Sequence, residues 1–341
     1  MIANRTSEYS PPEWYTKIKA LGFDMNQLMK RKDPTTKQAL TALSSMKNCI
    51  ERCENTKNPR ELSSFFDELR DHVHKAEFLE VNKFIVRKTR MLDSNGLTRI
   101  FATKAAVDYP FDLRADALQL YNRWCAEIFS VDLLRGIVLA KSKNKGDKRN
   151  ADRIDPKWAK ISTKYYGQGD LVIGQWWPTQ LCTVRDGAHG SPQAGIYGEK
   201  GKGAYSIVLS GGNHYSDEDN GDSIWYCGTD GKDSTPTENT QRMIETCDKV
   251  KQPVRVIRSW NLTKSNPYRP LRGFRYDGLY NVVGYQLQNA EKAIYRFKLI
   301  RVPGQDPIRY EDNRARRPTR FEIDEYDKLR KLERGMGSDD W

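Results

Sequence analysis

The chain contains no CxxC pair, and its six cysteines (Cys49, Cys53, Cys125, Cys182, Cys227 and Cys247) are scattered. A RING-type zinc site or a disulfide framework needs clustered ligands, so neither is expected. Free intracellular thiols are the reading. Cys49 and Cys53 are four apart, on adjacent turns of a helix, and read as core. Long apolar runs are also missing. Nothing approaches the ~18 residues of a membrane helix, and MIANRTSEYSPPEW at the start has no apolar h-region for a secretory signal. Histidine is scarce: His72, His74, His189 and His214 form two distant pairs. An HNH-type nuclease needs its histidines clustered. His72 and His74, two apart, point to different faces of a helix and make no metal pair. No long cofactor-binding stretch of the kind a SET methyltransferase needs is visible, and no cofactor is expected.

Basic charge is abundant. Lys and Arg number 57 against 45 Asp and Glu in 341 residues, a net +12. That balance points to a polyanion, with DNA, RNA and anionic lipid all open on charge alone. The length suits two domains. Eight Trp and seventeen Tyr argue for packed cores.

The order of elements divides the chain. Residues 1–12 are expected to be disordered, and 13–140 read as an all-helical bundle of about five helices. In NPRELSSFFDELRDHVHKA, Leu62, Phe65, Phe66, Leu69, Val73 and Ala76 recur at three and four, marking one buried face. Pro59 stands near that helix's start, where its missing N–H costs little. Asn95-Gly96 marks a turn. After Pro110, Leu113, Ala117, Leu120, Tyr121 and Trp124 predict another helix, with Trp124 as a core anchor. KSKNKGDKRN opens a basic linker, 141–160. From there helical spacing gives way to short runs rich in Val, Ile, Tyr and Trp: AYSIVLS, SIWYCG, VRVIRSW, GLYNVVGYQL and AIYRFKLIRV. A twisted, barrel-like sheet is expected over 161–312, with a helix in TENTQRMIETCDKV. Residues 313–341 read as a charged tail carrying at most a short surface helix. The fold class is α+β.

Several motifs in this half stand in a fixed order: AGIYG (194–198), GAYSIVLSGG (203–212), DEDNGD (217–222), WYCG (225–228), QPVRVIRS (252–259) and RYDGLYNVVGY (275–285). Together they resemble the SRA (SET and RING associated) domain, also called YDG after the tripeptide present here as Tyr276-Asp277-Gly278. The similarity covers roughly 165–310. It implies a domain that binds DNA carrying 5-methyl- or 5-hydroxymethylcytosine and flips the modified base into a pocket between two aromatic rings, where an Asp reads its Watson–Crick edge. The chemistry is coherent. Cytosine presents an N4 donor, a carboxylate accepts it, and stacking of about 1–3 kcal/mol per base helps offset unstacking.

Carried over by residue, the resemblance places the base-reading carboxylate at Asp217 and a stacking ring at Tyr226. Ser210, Gly211 and Gly212 become pocket wall, and Cys227 and Thr229 flank it. Asn213-His214 stand where relatives have Tyr directly after the glycine pair, so Tyr215 is the expected first ring and His214 the runner-up. Glu218, Asp219 and Asp222 read as a solvated acidic face. Gln193, in GAHGSPQ, occupies the wedge position of one groove loop. Asn239 and Arg242 belong to the other. Arg185, Lys200, Lys202, Lys232, Arg255, Arg258, Lys264, Arg269, Arg272 and Arg275 are candidate phosphate contacts.

The helical half, through GLTRIF and RADALQLYNRWCAEI, faintly resembles the N-terminal domain of the elongation factor TFIIS, which implies nuclear or chromatin protein partners for residues 13–140. The sequence therefore reads as a nuclear, non-catalytic reader of double-stranded DNA with modified cytosine. The alternatives are a chromatin-associated scaffold, or a component of a modification-dependent nuclease built on carboxylates.

Overall fold

The computed structural model describes residues 9–20, 34–139, 152–211, 217–311 and 314–335. They form a mixed α+β structure in two compact units, Met1–Asp132 and Leu133–Trp341. The expected boundary at 140 thus falls earlier, because Ile137–Val138 (β1) pairs antiparallel with Arg153–Ile154 (β2) inside the second unit. Most of the intervening basic linker lies outside the described residues.

In the first unit the described elements are helices: Glu13–Ala20 (α1), Pro34–Asn55 (α2), Pro59–Ala76 (α3), Lys83–Thr89 (α4), Thr98–Phe101 (α5) and Phe111–Cys125 (α6). Asn58 caps α3 by accepting the Arg60 N–H, and Pro59 takes the first turn. Leu69, Val73 and Ala76 are buried, with Leu62, Phe65 and Phe66 packed against them. Trp124 is 1% exposed and anchors the same core. Two matched i, i+4 pairs fix how α3 meets α6. Arg70 bonds Asp112 at 2.6 Å and His74 meets Asp116 at 2.7 Å. Residues 9–12, expected as disordered, are packed as far as described. Tyr9 meets Phe101 edge-on at 4.8 Å, and the Ser10 carbonyl accepts the Tyr121 hydroxyl.

The second unit is built on an eight-stranded sheet. In chain order its strands are Trp176–Trp177 (β3), Ile196–Glu199 (β4), Gly203–Leu209 (β5), Glu218–Asp219 (β6), Ser223–Cys227 (β7), Val254–Ser259 (β8), Phe274–Asn289 (β9) and Ile294–Arg301 (β10). They are ordered β4-β5-β8-β9-β10-β7-β6, with β3 against β9. Among the described residues only β5 and β8 run parallel. Among the described residues β4 and β6 do not pair, so the ladder does not close into the expected barrel. Gln180–Arg185 (α7) and Glu238–Glu245 (α8) flank it; a π turn over Thr246–Val250 extends α8 through the predicted helical stretch. The side chain of Thr237 caps α8 at the Thr240 N–H.

The described part of 313–341, residues 314–335, is more than the expected tail. Arg320–Gly335 (α9) starts from a capping box. Thr319 Oγ1 accepts the Glu322 N–H, and Glu322 accepts the Thr319 N–H at 2.7 Å. Arg317 pairs with Glu322 in the interior, and Tyr326, 3% exposed, meets Trp176 edge-on. These contacts dock the helix on the sheet unit.

Candidate nucleic-acid interface

The longest strand, β9, carries the YDG tripeptide at a bulge. β8 pairs Val256 with Gly278 but Ile257 with Tyr276, so Asp277 is the extra residue. A bulge re-aims a side chain, and here it aims a carboxylate inward. Asp277 accepts Arg275 Nε at 2.6 Å and Arg258 Nη1 at 2.9 Å, all three side chains fully buried. Gly278 has φ +110°, and a Cβ there would stand 2.6 Å from Gln305 Oε1; only glycine fits both demands. Tyr276 fills the neighbouring apolar core.

Arg258 also reaches the acidic loop. Its Nε and Nη2 donate to Asp219 at 2.8 and 2.7 Å, and Nη2 also donates to the Gly221 carbonyl. Asn266 adds a bond to Asp219. Burial pushes the Asp219 carboxyl up, but the Arg258 hydrogen bonds and charge outweigh it and hold it below the usual range. Glu218 pairs with Arg296 at 2.8 Å, and Asp222, largely exposed, lies 3.8 Å from Arg301. The acidic run is thus neutralised by arginines of the sheet. Asp219 is a structural ion pair and not part of a solvated face.

Asp217 is differently placed. Its Oδ1 accepts the Cys227 N–H at 2.7 Å, from the strand residue next to Tyr226. The carboxylate is half-buried, and burial raises its pKa despite the Cys227 hydrogen bonds and the Arg296 charge. Tyr226 is 5% exposed and Cys227 is 7% exposed. The Tyr226 hydroxyl stands 2.6 Å from where a Cβ on Gly195 would lie, so the glycine of AGI makes room for this ring. Gly211, at φ +62°, has Leu262 Cα 3.1 Å from its Cβ position. Ser210 beside it is half-buried, at the end of β5. Thr229 is exposed beyond β7, where its carbonyl accepts the Thr240 hydroxyl. Gly212, Asn213, His214 and Tyr215 lie outside the described residues.

The loop bearing Gln193 has a fixed base and an exposed tip. Gln180 Nε2 donates to the carbonyls of Ser191 and Ala194. His189 is fully buried between Ser206 Oγ and the Ala194 carbonyl, at 2.8 and 2.9 Å. Burial lowers its pKa to about 4, so the ring is neutral at neutral pH and Nε2–H donates to Ala194. Gln193 itself is exposed. On the second loop Asn239 is half-buried in the first turn of α8. Arg242 is corrected: it is 6% exposed and both Glu245 oxygens accept its Nη1 at 2.8 Å. Its guanidinium is occupied inside the fold.

Four of the candidate phosphate contacts are also internal: Arg185, Arg255, Arg258 and Arg275, each 2% exposed or less. Arg255 donates to the carbonyls of Thr163, Tyr165, Gly167 and Ala188 and stacks on Tyr165 at 3.8 Å. Lys200, Lys202, Lys232 and Lys264 are exposed. Of the four buried arginines, Arg255, Arg258 and Arg275 lie in strands and Arg185 closes α7; for the first three, a place inside a β-rich run is the signal the sequence offers.

A bulged sheet with an inward Arg–Asp network and a glycine-framed Asp–Tyr edge defines a class of β-rich domain. It is an SAD/SRA domain, matched over residues 165–305. The chain is 30% identical over 162 residues to the E3 ubiquitin-protein ligase UHRF1 of Bos taurus, across 38% of this chain and 20% of that protein. It is 31% identical over 165 residues to a UHRF1-like protein of Cryptococcus neoformans, across 42% and 47%. The crystallised SUVH5 SRA domain in complex with hemi-methylated CG DNA is 31% identical, covering 42% of this chain and 97% of that one, at a TM-score of 0.34. The chain therefore spans less than half the length of either of these curated relatives.

Proposed function

We propose that the second unit reads modified cytosine in double-stranded DNA by flipping the base against Asp217 and Tyr226. The observation that carries this reading is the Asp217 carboxylate, half-buried and oriented by the Cys227 N–H beside Tyr226. A carboxylate is an acceptor without a donor, which suits the cytosine N4 amino group and offers nothing to thymine O4. Cys227 lends a small apolar edge near a 5-substituent. Tyr226 supplies one stacking face, and Tyr215 or His214 the other. Ser210, Gly211 and Gly212 allow close approach, and Thr229 marks the rim.

Gln193 enters the duplex from its braced loop and fills the vacated space. Asn239 contacts the opposite groove. Lys200, Lys202, Lys232 and Lys264 meet phosphates, so affinity falls steeply with salt. The relatives' titles agree with this reading: SUVH5 SRA is crystallised with hemi-methylated CG DNA and with fully hydroxymethylated CG DNA. The ligase names attach to proteins matched here over their SRA region, so the reading is a non-catalytic one. The protein acts in the nucleus, and residues 13–140 hold chromatin partners. A duplex with 2-aminopurine beside a 5-methylcytosine tests the flip. Its fluorescence rises on binding if the base leaves the stack, and stays unchanged if the protein binds an intact duplex.

A further inference from the structure

Helices α2 and α3 of the first unit bring three metal-binding side chains together. The donor atoms of Cys49, Glu68 and His72 all lie within 4.8 Å of one another. It is the one such group among the described residues. Glu68 and His72 are i, i+4 on α3 and share a face; Cys49 faces them from α2. His72 Nε2 and Glu68 Oε1 are already 3.5 Å apart, the ~3.5 Å edge of a tetrahedron around zinc. We propose that Cys49, Glu68 and His72 form a binding site for a zinc-class divalent ion that clamps α2 to α3.

The donor set favours zinc: a thiolate and an imidazole suit it, with a carboxylate as third ligand. Cys49 is fully buried, His72 half-buried and Glu68 exposed, so an ion enters from the Glu68 side and keeps water as its fourth ligand. As a thiol Cys49 donates to the Phe65 carbonyl at 3.5 Å, and a bound metal takes the place of that proton. The competitor is Arg52, which pairs with Glu68. Both side chains are 44% exposed, and such surface pairs contribute little, so an ion displaces it. The pattern escapes a search for CxxC or paired histidines because its ligands are split between two helices.

The test uses the full chain, reduced, stripped with chelator and titrated with Co²⁺. A thiolate-to-cobalt charge-transfer band is expected, saturating at one ion per chain and displaced by Zn²⁺. C49A removes the band while C53A keeps it. H72Q weakens binding by about tenfold or more, and R52A tightens it. Circular dichroism checks that each variant stays folded. Absence of the band in the wild-type chain, its survival in C49A, or an unchanged affinity in H72Q would overturn the site.

Discussion

Arg258 grips Asp219 with two hydrogen bonds, at 2.7 and 2.8 Å, and ties the acidic loop to the centre of the sheet. The same guanidinium reaches Asp277 at 2.9 Å, so one buried cation links the loop that carries Asp217 to the bulge of β9. The acidic loop and the YDG tripeptide are parts of one network.

Removing one partner of that network leaves a buried charge exposed to no water. D277A is expected to lower the unfolding free energy by about 3–5 kcal/mol, because Arg258 and Arg275 then lack their shared counter-charge. Urea denaturation measures it. A loss below about 1 kcal/mol would mean that the arginines find other acceptors.

Gly278 answers a backbone demand. G278A places a Cβ at φ +110° and against Gln305, whose amide caps the Leu279 and Val302 carbonyls. The expected cost exceeds about 1 kcal/mol. Hydrogen exchange should show the Leu279 amide opening first, since Gln305 Oε1 is its acceptor.

Acid should loosen the Gln193 loop. His189 has a folded pKa of about 4 against 6.5 for the free ring. A depressed histidine pKa means the native state holds the neutral ring. The stabilisation is complete above pH 6.5 and is lost as pH falls toward 4, up to about 3 kcal/mol. Stability measured from pH 7 to 4 should decline in the wild type and stay flatter in H189Q.

Much of this was legible and some was not. Apolar spacing identifies α3 and α6, and the ordered motifs identify the domain. The buried arginines could not be separated from phosphate-binding ones by composition, since a cation in a β-rich run reads the same whether it faces solvent or Asp277. Arg242 shows the same limit: its helical position is readable, but the sequence does not separate a guanidinium paired with Glu245 three residues on from one facing a phosphate. The Thr319–Glu322 capping box was present in TRFE, yet the charge of the surrounding segment made it read as a tail. Closure of the barrel was a matter of strand pairing between β4 and β6, which no local pattern encodes.

Substituting Asp217 by an amide separates recognition of cytosine from burial of a charge. D217N keeps the shape and gains an N–H donor that suits thymine O4. It should hold its fold and lose preference for modified cytosine over thymine in competition assays. Retained preference would place the discriminating group elsewhere.

The most direct measurement compares D217A with the wild-type chain on 5-methylcytosine and unmodified duplexes by fluorescence anisotropy, across a salt series. The account predicts that the wild type prefers the modified duplex and that D217A binds both duplexes equally, weakly and with strong salt dependence. A D217A chain that still prefers the modified duplex as the wild type does would contradict it.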